Sequence, residues 1–260
     1  MILSDKVSQC VKMLKKHPWI TSLCLLMLLL CVIWWLVLPK RLFTSPTSYV
    51  IEAENGVLLG ASIAKDGQWR FPAGSNVPDK FAKCIVAFED KRFYSHPGVD
   101  LLALGRAFRQ NIMRKKIVSG GSTISMQVIR LSQKKPRTWP QKMKELMLAI
   151  CLELSHSKQN ILALYAGNAP FGTNVVGLDA AAWRYFGRSA EQLSWGEMAA
   201  LAILPNAPSL IHPGKNREQL LQKRNQLLDK LVIGSQIDST TAALAKLEPI
   251  PDKPLQLPQL

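Results

Sequence analysis

Residues 18–38, Pro-Trp-Ile-Thr-Ser-Leu-Cys-Leu-Leu-Met-Leu-Leu-Leu-Cys-Val-Ile-Trp-Trp-Leu-Val-Leu, contain no charge. At 1.5 Å per residue a helix of this length reaches about 31 Å, against roughly 30 Å for a bilayer core. Trp19 at one end and Trp34 and Trp35 near the other suit the two membrane interfaces. A cleaved signal peptide would have a shorter apolar core and a small-residue cleavage site, whereas this run ends in Leu-Pro-Lys-Arg. The spacing predicts an uncleaved transmembrane helix. Lys6, Lys12, Lys15 and Lys16 precede the span and only Lys40 and Arg41 follow it closely. The positive-inside rule therefore keeps residues 1–17 cytoplasmic and exports everything after the span.

The exported part is basic in its own right. Residues 1–41 hold six of the 33 Lys and Arg and one of the 18 acids, which leaves +10 on the remainder. Such a charge expects an anionic partner: nucleic acid, lipid headgroups or a phosphorylated substrate. Neither a basic recognition helix nor interleaved aromatics is present, which argues against nucleic acid. No Cys-x-x-Cys or His-x-His pair suggests zinc. Cys84 and Cys151 sit in apolar helical patterns and read as buried thiols, a disulfide between them being allowed but not required.

After a linker over residues 39–48, the alternation around Asn55-Gly56 predicts a β-hairpin with a two-residue turn. A second turn at Asp66-Gly67 leads to a strand at Gln68-Trp-Arg-Phe71. Beyond that the pattern is helical: residues 78–89, 100–113, 119–133, 141–155 and 216–232, with capping-box-like starts at Ser189 and Ser194 and a last short helix capped by Asp238. A domain over residues 49–247 and a proline-rich tail, 248–260, complete the chain. The fold class is mainly α.

Three stretches carry candidate chemistry. Glu89 closes an apolar helix, where outward carbonyls and nearby Ile85, Val86 and Phe88 disfavour an ionised carboxylate and suit a general base. The plain alternative is a solvated helix end whose Glu-Asp-Lys-Arg charges pair among themselves. Residues 120–123, Gly-Gly-Ser-Thr, feed a helix N-terminus that can receive an anion, or simply cap it, with Gln127 and Arg130 on one side. In the helix over 141–155, Met143, Leu146, Met147, Ile150 and Leu154 share a face. Glu145 projects nearly opposite, either toward a cleft with Lys142 ready for a phosphate, or as half of a surface ion pair with Lys142.

Together, in order, five motifs carry a resemblance. They are Glu-Asp-x-x-Phe-x-x-His-x-Gly at 89–98, Gly-Gly-Ser-Thr-Ile-x-x-Gln at 120–127, Lys-x-x-Glu at 142–145, Ile-Leu-x-Leu-Tyr…Pro-Phe-Gly at 161–172, and Ala-Ala-x-x-Tyr-Phe-Gly-Arg at 181–188. The chain resembles the peptidoglycan glycosyltransferase domain of class A penicillin-binding proteins and monofunctional transglycosylases. Details such as Asp-Gly-Gln-Trp-Arg-Phe-Pro at 66–72 point toward the 1C subgroup. The resemblance implies a lysozyme-like helical domain, with a small N-terminal hairpin and one transmembrane helix, lying on the outer face of a bacterial inner membrane. It implies lipid II and the growing glycan strand as partners, with anionic lipids and other cell-wall synthesis proteins alongside. It also implies Glu89 as the base that deprotonates the acceptor's 4-hydroxyl. It implies Glu145 as the second catalytic acid and allows a divalent cation (Mg2+ or Mn2+) beside it. Asp90, Phe93, His96, Ser122, Thr123, Gln127, Arg130 and Lys142 are the substrate-binding residues it implies.

The match has departures. Gln141 stands where the family usually has Arg, and Ala163 and Gly167 replace an acid and an amide. A membrane-anchored scaffold with little activity is therefore one rival reading, and a lysozyme-like hydrolase another. Ser155-His-Ser-Lys158 matches Ser-x-x-Lys with no Lys-Thr-Gly or Ser-x-Asn after it, so no β-lactam target is expected in these residues.

Overall fold

The computed structural model describes residues 41–74, 76–114, 120–136, 138–172, 174–206, 208 and 213–260, together with 19, 21–23, 25, 26 and 39. The chain forms two compact units, Met1–Leu42 and Phe43–Leu260. In the first, residues 19, 21–23, 25 and 26 are helical, and the rest of the predicted span and the tail before it lie outside the described residues. Among the described residues no helix is long and apolar enough to cross a membrane. Lys115 and Lys116, which the sequence places in a turn between two helices, and Ser119, which it places at the start of the second, also lie outside them.

The second unit is mainly helical, in agreement with the fold class read from the sequence. It opens with a hairpin of β1 (Val50–Glu52) and β2 (Leu58–Ala61). The predicted two-residue turn is corrected here. Ala53 N–H donates to Val57 O and Gly56 N–H to Ala53 O, so three residues form the loop. Gly56 alone takes the left-handed conformation (φ +77°), whereas a two-residue type I′ turn would require it at Asn55 as well. The strand β3 (Trp69–Arg70) pairs in parallel with β4 (Val175–Val176), a partner more than a hundred residues away.

Two helical groups follow. The first surrounds α7 (Trp195–Ile203), whose Gly196 and 198–203 are buried and which packs against α1 (Asp79–Glu89), α6 (Leu178–Phe186), α8 (Arg217–Ile233) and α9 (Ser239–Leu247). Ser194 and Glu197 form the capping box that starts it, as their spacing predicts. The second group surrounds α3 (Ile124–Gln133), which packs against α4 (Trp139–Ser155) and α5 (Lys158–Asn168). Between α1 and α3 run a single 3-10 turn (Phe93–Ser95) and α2 (Leu101–Arg114).

The tail is docked along the domain. Arg224, 1% exposed, donates to Glu248 O at 2.6 Å and Lys246 O at 2.7 Å, and Ala61 N–H donates to Pro258 O. Those carbonyls satisfy a guanidinium whose burial would otherwise be costly. Cys84 is buried and Cys151 half-buried, neither in a disulfide, and burial pushes both pKa values up.

Candidate active site

Glu89 ends α1 because Asp90 leaves helical geometry (φ −154°, ψ 72°), while its own N–H still reaches Val86 O. The half-buried Glu89 carboxylate accepts from Gln127 Nε2 at 2.8 Å. A looser contact, 3.4 Å, comes from Asn206 Nδ2. Gln127 belongs to α3 and Asn206 to the turn after α7, so both helical groups meet at this carboxylate.

Asp90 is buried and turned the other way. It accepts from the Ile124 N–H at 3.0 Å and lies 3.0 and 3.1 Å from His96 Nε2. Gly98 N–H donates to His96 Nδ1 at 3.2 Å, which places the imidazole proton on Nε2, where it can donate to Asp90. A carboxylate at the start of α3 also suits the helix dipole. Thr123 caps the same helix, its Oγ1 accepting from Met126 N–H while donating to Gly98 O at 2.6 Å. The helix start is therefore partly occupied from within. Of the amides that the sequence offers to an anion, those of Ile124 and Met126 already have protein acceptors.

Phe93 is buried beneath this loop, edge-on to His96 and 4.4 Å from Lys158 Nζ. Lys158 donates to His96 O at 2.7 Å and to Glu153, which also accepts from Ser125 Oγ at 2.5 Å. The sequence groups Asp90, Phe93, His96 and Thr123 with substrate-binding residues. In the structure all four are buried, with protein groups as partners, and they fix the loop behind Glu89.

A cavity of about 360 Å3 opens in front, lined among others by Glu89, Lys91, Arg92, Arg106, Ser122 and Thr123. Lys142 reaches its edge from α4 and donates to Ser122 Oγ at 2.6 Å. The lining is mixed in charge: Lys91, Arg92 and Arg106 face Glu89, Asp90 and Asp100, and Arg92 is paired with Asp100. Lys91, Arg106 and Lys142 are the cations beside the candidate base that could meet an anionic leaving group. Arg130, one turn beyond Gln127, lines a separate cavity.

Glu145 is 3% exposed on the inner side of α4 with Leu148, Ala149 and Leu152, so it is no surface ion pair. It is not among the described residues lining the cavity of Glu89. The apolar stripe of the same helix faces outward instead: Met143, Met147, Ile150 and Leu154 are exposed. Among the described residues no group of three or more His, Cys, Asp or Glu side chains gathers that could hold a metal ion by itself.

Sequence reasoning missed Tyr165. Its hydroxyl is fully buried with no partner among the described residues. Burial, and then the charge of Glu89, raise its pKa well above the ordinary phenol value, with Arg130 opposing. It stays a neutral donor within the field of both groups. Gln141, in the place of the family's Arg, donates its amide to Gln133 and ties α4 to the end of α3. A side chain at Gly167 would come within 2.6 Å of Ala73 Cβ, which accounts for glycine there.

A transglycosylase family model matches residues 57–232. Penicillin-binding protein 1C of Escherichia coli (strain K12) is 35% identical over 252 residues, covering 95% of this chain and 32% of that protein. Penicillin-binding protein 1F of Bacillus subtilis (strain 168) is 34% identical over 186 residues, 69% of this chain and 26% of the relative. The chain thus spans about a third or less of the length of these relatives. A crystal structure of penicillin-binding protein 1A from Haemophilus influenzae aligns with a TM-score of 0.46 at 22% identity, over 83% of this chain and 22% of that one.

Proposed function

The chain belongs to the transglycosylase family, and from that premise we propose that it is a peptidoglycan glycosyltransferase. It would join lipid II units into β-1,4 glycan strands with inversion and release undecaprenyl diphosphate. The observation that carries this reading is Glu89, held by Gln127 and lining a cavity that Ser122 also lines, with Lys142 bonded to Ser122.

In this reading Glu89 takes the proton of the acceptor's 4-hydroxyl as its oxygen attacks the donor's anomeric carbon. The bond from that carbon to the diphosphate oxygen breaks with its electron pair leaving on the diphosphate. Lys142 offsets the charge that develops there, Arg130 adds its charge from the separate cavity it lines one turn beyond Gln127, and Ser122 offers a hydroxyl donor. Asp90, His96, Phe93 and Thr123 hold the base's loop in register. Glu145 supports the same side from within α4. Were a divalent cation bound, Glu145 would be the candidate protein carboxylate to hold it and the ion would offset charge on the diphosphate, although Glu145 is buried and outside the described cavity lining.

The membrane enters the proposal through residues 18–38, the predicted anchor, with the catalytic unit on the periplasmic side of an inner membrane. Two exposed apolar stripes support a domain resting on that surface. One is Trp139, Met143, Met147, Ile150 and Leu154 of α4, the other Leu101, Leu102, Phe108, Ile112 and Met113 of α2. Apolar patches accompanied by exposed Arg106, Arg109 and Arg114 suit an anionic bilayer interface.

A weakly active scaffold remains the second reading, since Gln141 supplies no charge to a diphosphate. Purified full chain incubated with fluorescent lipid II, with products resolved by length, tests both. A ladder of polymer with released undecaprenyl diphosphate is expected. Bound but unpolymerised lipid II would favour the scaffold, and cleavage of preformed glycan into muropeptides would favour the hydrolase.

A further inference from the structure

At the far end of α3 from the Glu89 cavity lies a cavity of about 280 Å3, just below the range of ligand-sized pockets (about 300–1,000 Å3). Arg70, Arg130, Lys134 and Lys135 line it, with no carboxylate among its described lining residues. Arg70 is committed to its own acid: Nη1 lies 2.8 Å from Asp66 Oδ2 and donates to Pro46 O at 2.6 Å. It forms a fixed wall. Lys134, in the left-handed conformation at the end of α3 (φ +50°), donates to the neutral Ser45 Oγ at 3.0 Å. Lys135 is exposed at the rim.

Cations at a helix C-terminus ordinarily offset the negative end of the dipole. That role needs no enclosure. Here the charges face a concavity whose other lining residues are the apolar Phe43, Leu131, Pro170 and Val176 and the neutral Ser45 and Asn168. Phe43 and Ser45 follow within seven residues of the predicted membrane span that ends at residue 38. Basic clusters beside a membrane span attract anionic lipid.

We propose that this cavity binds the phosphodiester head group of an anionic phospholipid, with Lys134 and Lys135 meeting the phosphate and the apolar walls the start of its acyl chains. The proposal rests on the membrane-anchored reading of residues 18–38, and of the residues that line this cavity only Arg130 is shared with the proposed lipid II chemistry.

The test uses the full chain in detergent with short-chain phosphatidylglycerol, phosphatidylcholine and inorganic phosphate as probes, read by native mass spectrometry. One phosphatidylglycerol should be retained in preference to phosphatidylcholine. The double variant Lys134→Ala/Lys135→Ala should weaken it about thirtyfold, each basic side chain near an anionic surface being worth about fivefold. Inorganic phosphate at equal concentration should not displace it. Equal retention of the two lipids, or unchanged retention by the variant, would overturn the proposal, and displacement by phosphate would overturn the lipid assignment. Flotation of the full chain with pure phosphatidylcholine vesicles reports the anchor alone, so its failure is distinguishable from loss of head-group selectivity. The double variant should polymerise lipid II in detergent at the wild-type rate, which keeps this site apart from catalysis.

Discussion

Gln127 donates its side-chain amide to Glu89 Oε2 across 2.8 Å, joining the end of α1 to the middle of α3. The two residues lie 38 positions apart, and this bond ties the candidate base to the helix on which Arg130 also sits. A hydrogen bond to a charged group contributes about 1.5–3 kcal/mol. Gln127→Ala should therefore lower kcat by at least about tenfold, since 1.4 kcal/mol is one decade in rate, with KM for lipid II little changed. Single-turnover measurements would show it. An unchanged kcat would reduce Gln127 to a packing group.

Gly98 is fixed by its backbone (φ +94°) and by its neighbour, because an added Cβ would stand 2.5 Å from Ala149 O on α4. That contact sets the distance between the Asp90–His96 loop and the helix of Glu145. Gly98→Ala should cost about 1–3 kcal/mol through backbone strain alone. In a domain of this size each kcal/mol lowers Tm by roughly 2–4 °C. Thermal unfolding of the variant at wild-type Tm would remove this constraint.

What the sequence could disclose followed from local rules. The Ser194–Glu197 box and the Thr123 cap are set by residues three apart, and the structure shows both. The pairing of Trp69–Arg70 with Val175–Val176 was not legible, because two-residue strands carry no periodicity and their partners are remote. Nor was Asn206, 117 positions from the Glu89 it approaches. The helix α4 shows another limit. Periodicity groups Met143, Met147, Ile150 and Leu154 on one side but cannot say whether that side meets protein, and here the opposite side is buried.

Asp100 is pulled in two directions. Burial alone would raise its pKa, but the Ala103 N–H, at 2.7 Å, and the Arg92 guanidinium outweigh it and hold the carboxyl below its usual range. A depressed folded pKa gives stability that is present above the unfolded value of about 3.9 and is lost as pH falls through the folded one. Asp100→Asn should thus unfold at lower urea than wild type at pH 7, with the gap narrowing below about pH 4. A gap that stays constant from pH 7 to pH 3 would show that the lost contribution is packing and not charge.

Lys142 meets Ser122 Oγ at 2.6 Å, and the proposed reading has it share the charge of the diphosphate with Arg130. Lys142→Ala and Arg130→Ala should both impair use of lipid II, and the deficit should widen as salt falls, because the Debye length grows from about 8 Å at 0.15 M to about 30 Å at 0.01 M. Arg130→Lys should be partly tolerated if the charge alone matters. Kinetic constants unaltered in both alanine variants at low salt would take these residues out of the site.

The decisive substitution is at Glu89. A glutamine there preserves volume and can still hydrogen-bond to Gln127, but it accepts no proton. Loss of a positioned general base removes a factor of about 10²–10⁴ from the chemical step. Glu89→Gln should therefore retain lipid II, measured by equilibrium binding, while polymer disappears from the product ladder. Glu145→Gln gives the contrast: buried within α4 and outside the cavity lining among the described residues, it should impair turnover through the leaving-group side. Its defect should also vary with added divalent cation, whereas that of Glu89→Gln should not. A folded Glu89→Gln protein that made glycan at the wild-type rate would refute Glu89 as the base and leave the scaffold reading to account for binding.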